Sequence, residues 1–268
     1  AGEVRRVAEQ ETDKAKAAQG IPAATVVIFR TAPDGGPPQI LMQVRSRSLA
    51  FAGGMAVFPG GRVDPSDYDL AREAGYVDID EAAHQIAAIR ETLEETGLAL
   101  GLRGEIDAAR AADARSLLLA EERLAPVLER FGWSLALDDL IPFARWFPKN
   151  ERLSRVFDTR FYLADLGTGA VEIAVDAGEN TRLFWTSAAD ALTAADRGEI
   201  DVIFPTRRNL ERLALFGSFA EASAQAQAIP VRTITPFIGE KDGTSWLNIG
   251  EEFGYPVTAE PMDKVARG

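Results

Sequence analysis

The stretch "RETLEETGL", from Arg90 to Leu98, places three glutamates on one side of a helix. At 100° per residue, Glu91, Glu94 and Glu95 fall within roughly a third of a turn of one another. Like charges spaced three and four residues apart cost about 0.2–0.5 kcal/mol per pair in an isolated helix, so folding alone gives no reason to cluster them. A divalent cation would remove this repulsion. A solvated acidic face is the alternative that the spacing by itself leaves open.

The residues around these glutamates predict a helix from Asp80 to Leu98. Asp80 is a candidate N-cap, and apolar residues such as Ile86 and Leu93 recur at helical spacing. Gly97 stands where a C-cap glycine is expected.

A glycine turn precedes the helix in the stretch "AVFPGGRVD", from Ala56 to Asp64. An apolar run leads into this turn and is stopped by Pro59 and the two glycines Gly60 and Gly61. The carbonyl oxygens of such a turn can point at a metal ion. The turn and the glutamate helix therefore predict two halves of one metal site.

The composition limits which metal and which partners are expected. The chain has no cysteine and a single histidine, which excludes thiolate sites and histidine-rich zinc sites. A hard cation held by oxygen ligands remains, namely Mg²⁺ or Mn²⁺. The formal net charge of −12 disfavours a nucleic-acid partner, because such binding rests on positive charge.

Length and hydropathy predict one decorated, soluble domain. The chain has 268 residues, of which 46% are hydrophobic. Apolar runs such as "TVVIF" are far shorter than the roughly 18 residues of a membrane span, and the first residues carry no apolar signal segment. We therefore expect no membrane partner and a cytoplasmic location.

"RETLEETGL" resembles the second half of the Nudix box, R-E-U-x-E-E-x-G-U, in which U is an aliphatic residue. Arg90, Glu91, Glu94, Glu95 and Gly97 occupy its fixed positions, whereas a threonine replaces one aliphatic residue. The preceding "FPGG" resembles the strand that leads into the box. The resemblance implies an α+β Nudix fold, in which a mixed β-sheet is sandwiched between helices.

The first half of the box departs from the family pattern. That pattern has a glycine fourteen residues before the arginine and a glutamate eight before it. Here Gly61 lies twenty-nine residues before Arg90, and Ala82 holds the eight-before position. About fifteen residues are therefore inserted, and Asp80 or Glu81 is expected to replace the missing glutamate.

Coarse patterning gives the remaining organisation. Residues 1–20 read as an N-terminal helix or tail, and residues 21–268 as a single Nudix domain with inserts at about 64–80 and 103–140. The second insert follows the Nudix helix and reads as two helices broken near Pro126. The tail from residue 236 is rich in glycine and proline.

The resemblance implies metal-dependent hydrolysis of a nucleoside diphosphate linked to another group. Two or three Mg²⁺ or Mn²⁺ ions would activate a water for attack on phosphorus. A later loop often adds a carboxylate in this family, and Glu179 is the candidate. The implied metal ligands are Gly60, Glu91, Glu94 and Glu95, and the implied catalytic residues are Arg90, Glu94, Glu95 and Glu179.

The substrate is less closely defined. The stretch "LMQVRSRSLAFAGGMAVFPGG", from Leu41, resembles the pattern of coenzyme A hydrolases, as do the downstream segments "FDTRFYL" and "FPTRRNLERLA". Ala50 stands where that pattern has an arginine, so Arg45 or Arg47 is expected to compensate. The predicted substrate-binding residues are Arg45, Arg47, Gly54 and Arg160.

Two alternatives remain open at this stage. One is a Nudix hydrolase of ADP-ribose or another nucleotide sugar, and the other is a Nudix-like module that binds a ligand without catalysis. The family resemblance also implies a homodimer.

Overall fold

An eight-stranded mixed sheet lies at the centre of the computed structural model, which describes residues 20–46, 53–148, 156–167 and 180–265. The strands are β1 (Ile21–Arg30), β2 (Gln39–Arg45), β3 (Ala56–Val57), β4 (Gly60–Arg62), β5 (Leu102–Arg103), β6 (Ser134–Leu135), β7 (Ile141–Trp146), β8 (Phe157–Asp165), β9 (Asn180–Ser187), β10 (Thr233–Ile234), β11 (Phe237–Lys241), β12 (Thr244–Asn248) and β13 (Ala259–Pro261). The helices are α1 (Pro65–Glu73), α2 (Ile79–Thr96), α3 (Ala108–Glu121), α4 (Leu124–Phe131), α5 (Ala188–Asp196), α6 (Phe204–Leu213) and α7 (Phe219–Ala228), with short 3-10 turns at Leu137–Asp139 and Glu251–Phe253.

The sheet is organised around β1. Its order is β10-β7-β8-β1-β2-β3, with β4 also paired to β1 and β9 also paired to β2. Strand β1 runs parallel to β8 and antiparallel to β2 and β4. Strand β4, which carries the glycine turn, is thereby fixed next to the central strand.

Both faces of the sheet are covered, as the sequence of β1 requires. Val26 and Ile28 pack into a core shared with α1 to α4, whereas Val27 and Phe29 pack into a second core shared with α5 to α7. Strands buried on both faces read as continuous apolar runs, and "TVVIF" is such a run. The predicted α+β architecture, a mixed sheet between helices, is confirmed.

Helix α2 agrees with the predicted glutamate helix except at its start. Asp78, not Asp80, is the N-cap, and its side chain accepts a hydrogen bond from the backbone N–H of Glu81. Gly97 is the C-cap, as predicted, with a left-handed φ of 78°. The helix therefore ends immediately after the last glutamate.

The insert after α2 contains two helices, as predicted, and the break between them lies at Glu122 and Arg123, shortly before Pro126. Helix α3 ends at a left-handed Glu122, before Pro126. Pro126 is the third residue of α4, where the backbone N–H has no partner within the helix and its loss costs little.

The C-terminal region has more structure than its composition indicated. Strands β11, β12 and β13 form a separate antiparallel sheet within the tail that is rich in glycine and proline. The side chain of Ser187 caps α5. The predicted N-terminal helix or tail lies, up to residue 19, outside the described residues. None of the described helices has the length and hydropathy that crossing a membrane requires.

The insert inside the Nudix box forms α1, which packs on α2. Asp67 of α1 is 1% exposed and accepts two hydrogen bonds from Arg90, from Nε to Oδ1 and from Nη2 to Oδ2, each 3.1 Å long. Asp67 lies six residues after Gly61, which is the distance from glycine to glutamate in the family pattern. The extra residues therefore follow Asp67.

The expectation that Asp80 or Glu81 replaces the missing glutamate was wrong. Both carboxylates bind Arg160, and Glu81 also accepts a hydrogen bond from the hydroxyl of Tyr162. Because the extra residues follow Asp67, the position eight residues before Arg90 no longer corresponds to the glutamate of the family pattern. The spacing from Gly61 is unchanged, and it leads to Asp67.

We expect Asp67→Asn to lower the free energy of unfolding by about 1.5–3 kcal/mol, because it weakens two charge-assisted hydrogen bonds from the buried Arg90, which keeps Glu91 as a partner. Asp67→Glu should regain part of this loss. Urea unfolding of the purified variants measures both. Asp69→Asn is the matched control on the same helix, since its pair with Arg72 is exposed and worth about 0–1 kcal/mol. Equal losses for Asp67→Asn and Asp69→Asn would contradict the role of the buried pair.

Candidate functional site

The C-terminal half of α2 meets the glycine strand β4 through Glu95. This residue is 3% exposed, and its Oε2 accepts hydrogen bonds from the backbone N–H of Gly60 and from Nε2 of Gln43, each 2.8 Å long. Two donors on one oxygen fix the orientation of the carboxylate. Glu95 is thus held between two strands of the sheet.

Glu91 lies directly against the second glycine of the turn. A Cβ added to Gly61 would lie 2.3 Å from the carboxyl carbon of Glu91. No residue with a side chain fits there unless the glutamate moves. The glycine at position 61 therefore allows the carboxylate of Glu91 to lie against the strand.

The environment of Glu91 disfavours its charge when no cation is bound. Burial raises the pKa of Glu91 to about 8; Arg90 opposes this shift, and the carboxylates of Glu95 and Glu94 add to it. When ionised, Glu91 therefore carries a negative charge that the surrounding side chains do not fully compensate.

Arg90 connects the helix to the rest of the box. Besides the bonds to Asp67, it donates to Oε1 of Glu91 and to the backbone carbonyl of Arg62, both at 2.9 Å. A carboxylate oxygen of Glu94 lies 3.6 Å from its Nη1. Burial alone would lower the pKa of Arg90, but these carboxylates raise it above its ordinary value. Arg90 remains charged and orients Glu91.

The carbonyl of Gly60 is directed away from β1. In the antiparallel pair, Val26 N–H bonds to the carbonyl of Pro59, so Thr25 and Gly60 form the next, non-hydrogen-bonded pair. Both backbone groups of such a residue point away from the partner strand. Because the N–H of Gly60 reaches Glu95, its carbonyl points to the same side as the glutamates.

The donor set fits a hard divalent cation. It offers carboxylate oxygens and a backbone carbonyl, with uncompensated negative charge beside them. Within the described ranges, no three acidic or histidine side chains converge into a complete cage. Mg²⁺ does not require one, since it usually binds one or two carboxylates and keeps waters or substrate phosphates as further ligands.

The predicted substrate-binding residues divide between two places. Arg45 ends β2 and pairs with Met55 and Gly54 across a hairpin, and Gly54 has a left-handed φ of 80°. This hairpin leads directly into β3 and the glycine turn. Arg160 lies at the opposite end of α2 beside Glu81, about 15 Å from Glu91 along the helix axis. Arg160 is not brought to the glutamates.

Two predicted residues, Arg47 and Glu179, lie outside the described residues. Sequence reasoning also missed two that contact the site, Asp67 and Gln43. The spacing from Gly61 was an available signal for Asp67. For Gln43 the signal was a polar residue in the otherwise apolar run of β2.

Comparisons with known proteins agree with this geometry. The model of the NUDIX domain matches residues 21–160, which is more than half of the chain. A NUDIX hydrolase from Alicyclobacillus acidocaldarius is 28% identical, with a TM-score of 0.65 over 76% of this chain and 96% of that chain. The NUDIX domain of Shewanella oneidensis NrtR complexed with ADP ribose is 12% identical, with a TM-score of 0.41 over 72% of this chain and 84% of that chain. A C. elegans Ap4A hydrolase binary complex is 19% identical, with a TM-score of 0.37 over 67% of this chain and 88% of that chain. No curated protein matches the chain in sequence. The glutamate helix, the glycine strand and the matched domain together place this chain in the Nudix family.

Proposed function

We propose that this protein is a Mg²⁺- or Mn²⁺-dependent hydrolase of a nucleoside diphosphate linked to another group. The observation that carries the proposal is the fixed position of Glu91 and Glu95 against the two glycines of β4. A surface acidic patch would not contain a carboxylate as buried as Glu95, and it would not place Glu91 where a side chain at position 61 would have to lie. Membership of the family supports the same reaction class.

The residues of the site have different roles in this reaction. A bound divalent cation supplies a water of lowered pKa and neutralises charge on the diphosphate. Glu91 and Glu95 hold the cation together with the carbonyl of Gly60, and Arg90 keeps Glu91 oriented. The side chain of Glu94 is 33% exposed, which suits a group that takes a proton from the attacking water. Glu179 is proposed as a further carboxylate at this site.

Coenzyme A or an acyl-coenzyme A is the proposed substrate. Of the described residues that match the coenzyme A pattern, Leu41 lies on β2, the strand whose Gln43 bonds to Glu95, and Gly54 pairs with Arg45 at the end of that strand. The Nε atom of Arg45 is buried and has no hydrogen-bond partner in the described structure. A buried guanidinium nitrogen without a partner suits an anionic ligand such as a phosphate, since leaving it unpaired costs free energy. A homodimer remains part of this proposal.

Two alternatives are tested by the same assay. ADP-ribose or another nucleotide sugar would use the same glutamates with a different leaving group. A module that binds its ligand without catalysis would leave every diphosphate intact. The retained Arg90, Glu91, Glu94 and Glu95 favour catalysis.

We expect the purified protein with Mg²⁺ or Mn²⁺ to hydrolyse coenzyme A in preference to ADP-ribose, NADH and dinucleoside polyphosphates, with products resolved by chromatography. Glu95→Gln should lower kcat at least about 100-fold while the fold persists, because the buried carboxylate loses its charge but keeps its shape. Circular dichroism checks the fold.

Glu129→Gln is the matched control, since this glutamate is exposed on α4 and far from the box in sequence. Its turnover should equal that of the wild type. An unchanged rate in Glu95→Gln would contradict the assigned role of Glu95. No turnover of any compound with either metal would favour the silent binding module.

The pKa of Glu91 predicts how pH affects the metal-free protein. A carboxyl group whose folded pKa of about 8 exceeds its unfolded value favours the folded state while protonated. Its contribution is present at acidic pH and is lost as the pH rises through 8. In EDTA, we expect the wild type to lose a few kcal/mol of unfolding free energy between pH 5 and 8, at about 1.4 kcal/mol per pH unit, and little more above pH 8.

Glu91→Gln isolates this effect from other titrating groups. The variant should show a clearly smaller loss over the same pH range, measured by urea unfolding. Excess Mg²⁺ should reduce the loss in the wild type, because the cation stabilises the charged carboxylate. Parallel pH profiles for the two proteins in EDTA would show that Glu91 is not the titrating group.

A further inference from the structure

Gln43 is a buried amide on a strand face that is otherwise apolar. Its neighbours along β2 alternate between the two cores: Leu41 packs on the side of α2, and Met42 on the opposite side. By this alternation Gln43 faces α2, where Leu183 is its partner on β9. The residue is 0% exposed. A leucine or methionine would suit this position in the fold.

The hydrogen bonds of Gln43 are incomplete. Its Nε2 donates to Oε2 of Glu95, but its Oε1 is buried with no partner in the described part of the chain. The amide cannot be reversed without losing the bond, since the same Oε2 already accepts from the backbone N–H of Gly60. An unsatisfied buried acceptor lowers the stability of the folded state, because its hydrogen bonds to water are lost and not replaced. The fold alone therefore gives no reason for glutamine at position 43.

A second buried polar atom without a hydrogen-bond partner lies on the helix side of the same region. The hydroxyl of Thr92 is buried and has no partner in the described structure. Thr92 precedes Glu95 by three residues and so lies on the same face of α2. The unpaired atoms of Gln43 and Thr92 therefore belong to the two residues beside Glu95, the glutamate of this helix that is most completely buried. The surroundings of Glu95 are thus not optimised for stability, which is typical of a functional site.

We propose that Gln43 is a positioning residue of the metal centre, which fixes the carboxylate of Glu95 from the strand behind it. Gly60 and Gln43 donate to the same oxygen from two different strands, β4 and β2. One donor would still allow the carboxylate to swing about that bond, whereas two donors define its plane. Partners that orient a metal ligand in this way typically change metal affinity or activity by about 10- to 100-fold when removed.

This role rests on the proposed function, because it requires that Glu95 binds the metal. The test therefore measures metal binding directly, by electron paramagnetic resonance of free Mn²⁺ during titration. We expect Gln43→Met, which keeps the side-chain volume, to raise the Kd for Mn²⁺ about 10-fold or more. The thermal midpoint in EDTA should shift little, since the variant loses one hydrogen bond and one orphan acceptor together.

Gln39→Met is the matched control. Gln39 lies on the same strand and the same face, but its side chain bonds to Arg30 rather than to a glutamate. Its Kd for Mn²⁺ should equal that of the wild type. If Gln43→Met does not fold, Gln43→Asn gives the same measurement, because its shorter amide cannot span the distance to Glu95.

The outcomes separate the two proposals. If the wild type binds Mn²⁺ and the Gln43 variants bind it equally tightly, the positioning role is wrong and the proposed function stands. A large fall of the midpoint in EDTA with unchanged Mn²⁺ affinity would show a purely structural role for Gln43. If the wild type binds no Mn²⁺, the metal centre and the positioning role are both wrong.

Discussion

The close approach of α2 to strand β4 is the constraint on which the rest of the site depends. Glu95 bonds to the backbone N–H of Gly60, and Glu91 occupies the space that a side chain at position 61 would need. Gly97 ends the helix just beyond the glutamates. Gly61 thus leaves room for a carboxylate of the helix against the strand, and this contact brings carboxylates and a carbonyl to one side.

The enlarged Nudix box shows how an insertion leaves such a site intact. Twenty-two residues separate Asp67 from Arg90, against seven in the family pattern. The contact between Asp67 and Arg90 is nevertheless kept, because the added residues follow Asp67 and α1 packs against α2. Lengthening a loop between two fixed ends costs little entropy. The buried ion pair of Asp67 and Arg90 is therefore compatible with a longer connection between these two residues.

The site is held in an arrangement that the fold by itself does not favour. Burial raises the pKa of Glu91, and Gln43 keeps an unpaired amide oxygen inside the protein. Such features lower stability and recur where binding or catalysis requires a fixed polar group. The divalent cation proposed for this site would stabilise the charged form of Glu91, and its hydration shell would offer donors to a buried acceptor.

The sequence by itself determined the local features. Helical periodicity and a C-cap glycine defined the glutamate helix, and apolar runs defined β1 and β2, because these signals act between near neighbours in the chain. The start of α2 was misplaced by two residues, and the sheet of β11 to β13 was not anticipated. Only the tertiary structure decided which groups support the glutamates. Gln43 lies 52 residues from Glu95, and Asp67 lies 23 from Arg90. Contacts between residues so far apart in the sequence depend on how strand and helix pack, and no pattern among neighbouring residues indicates that packing.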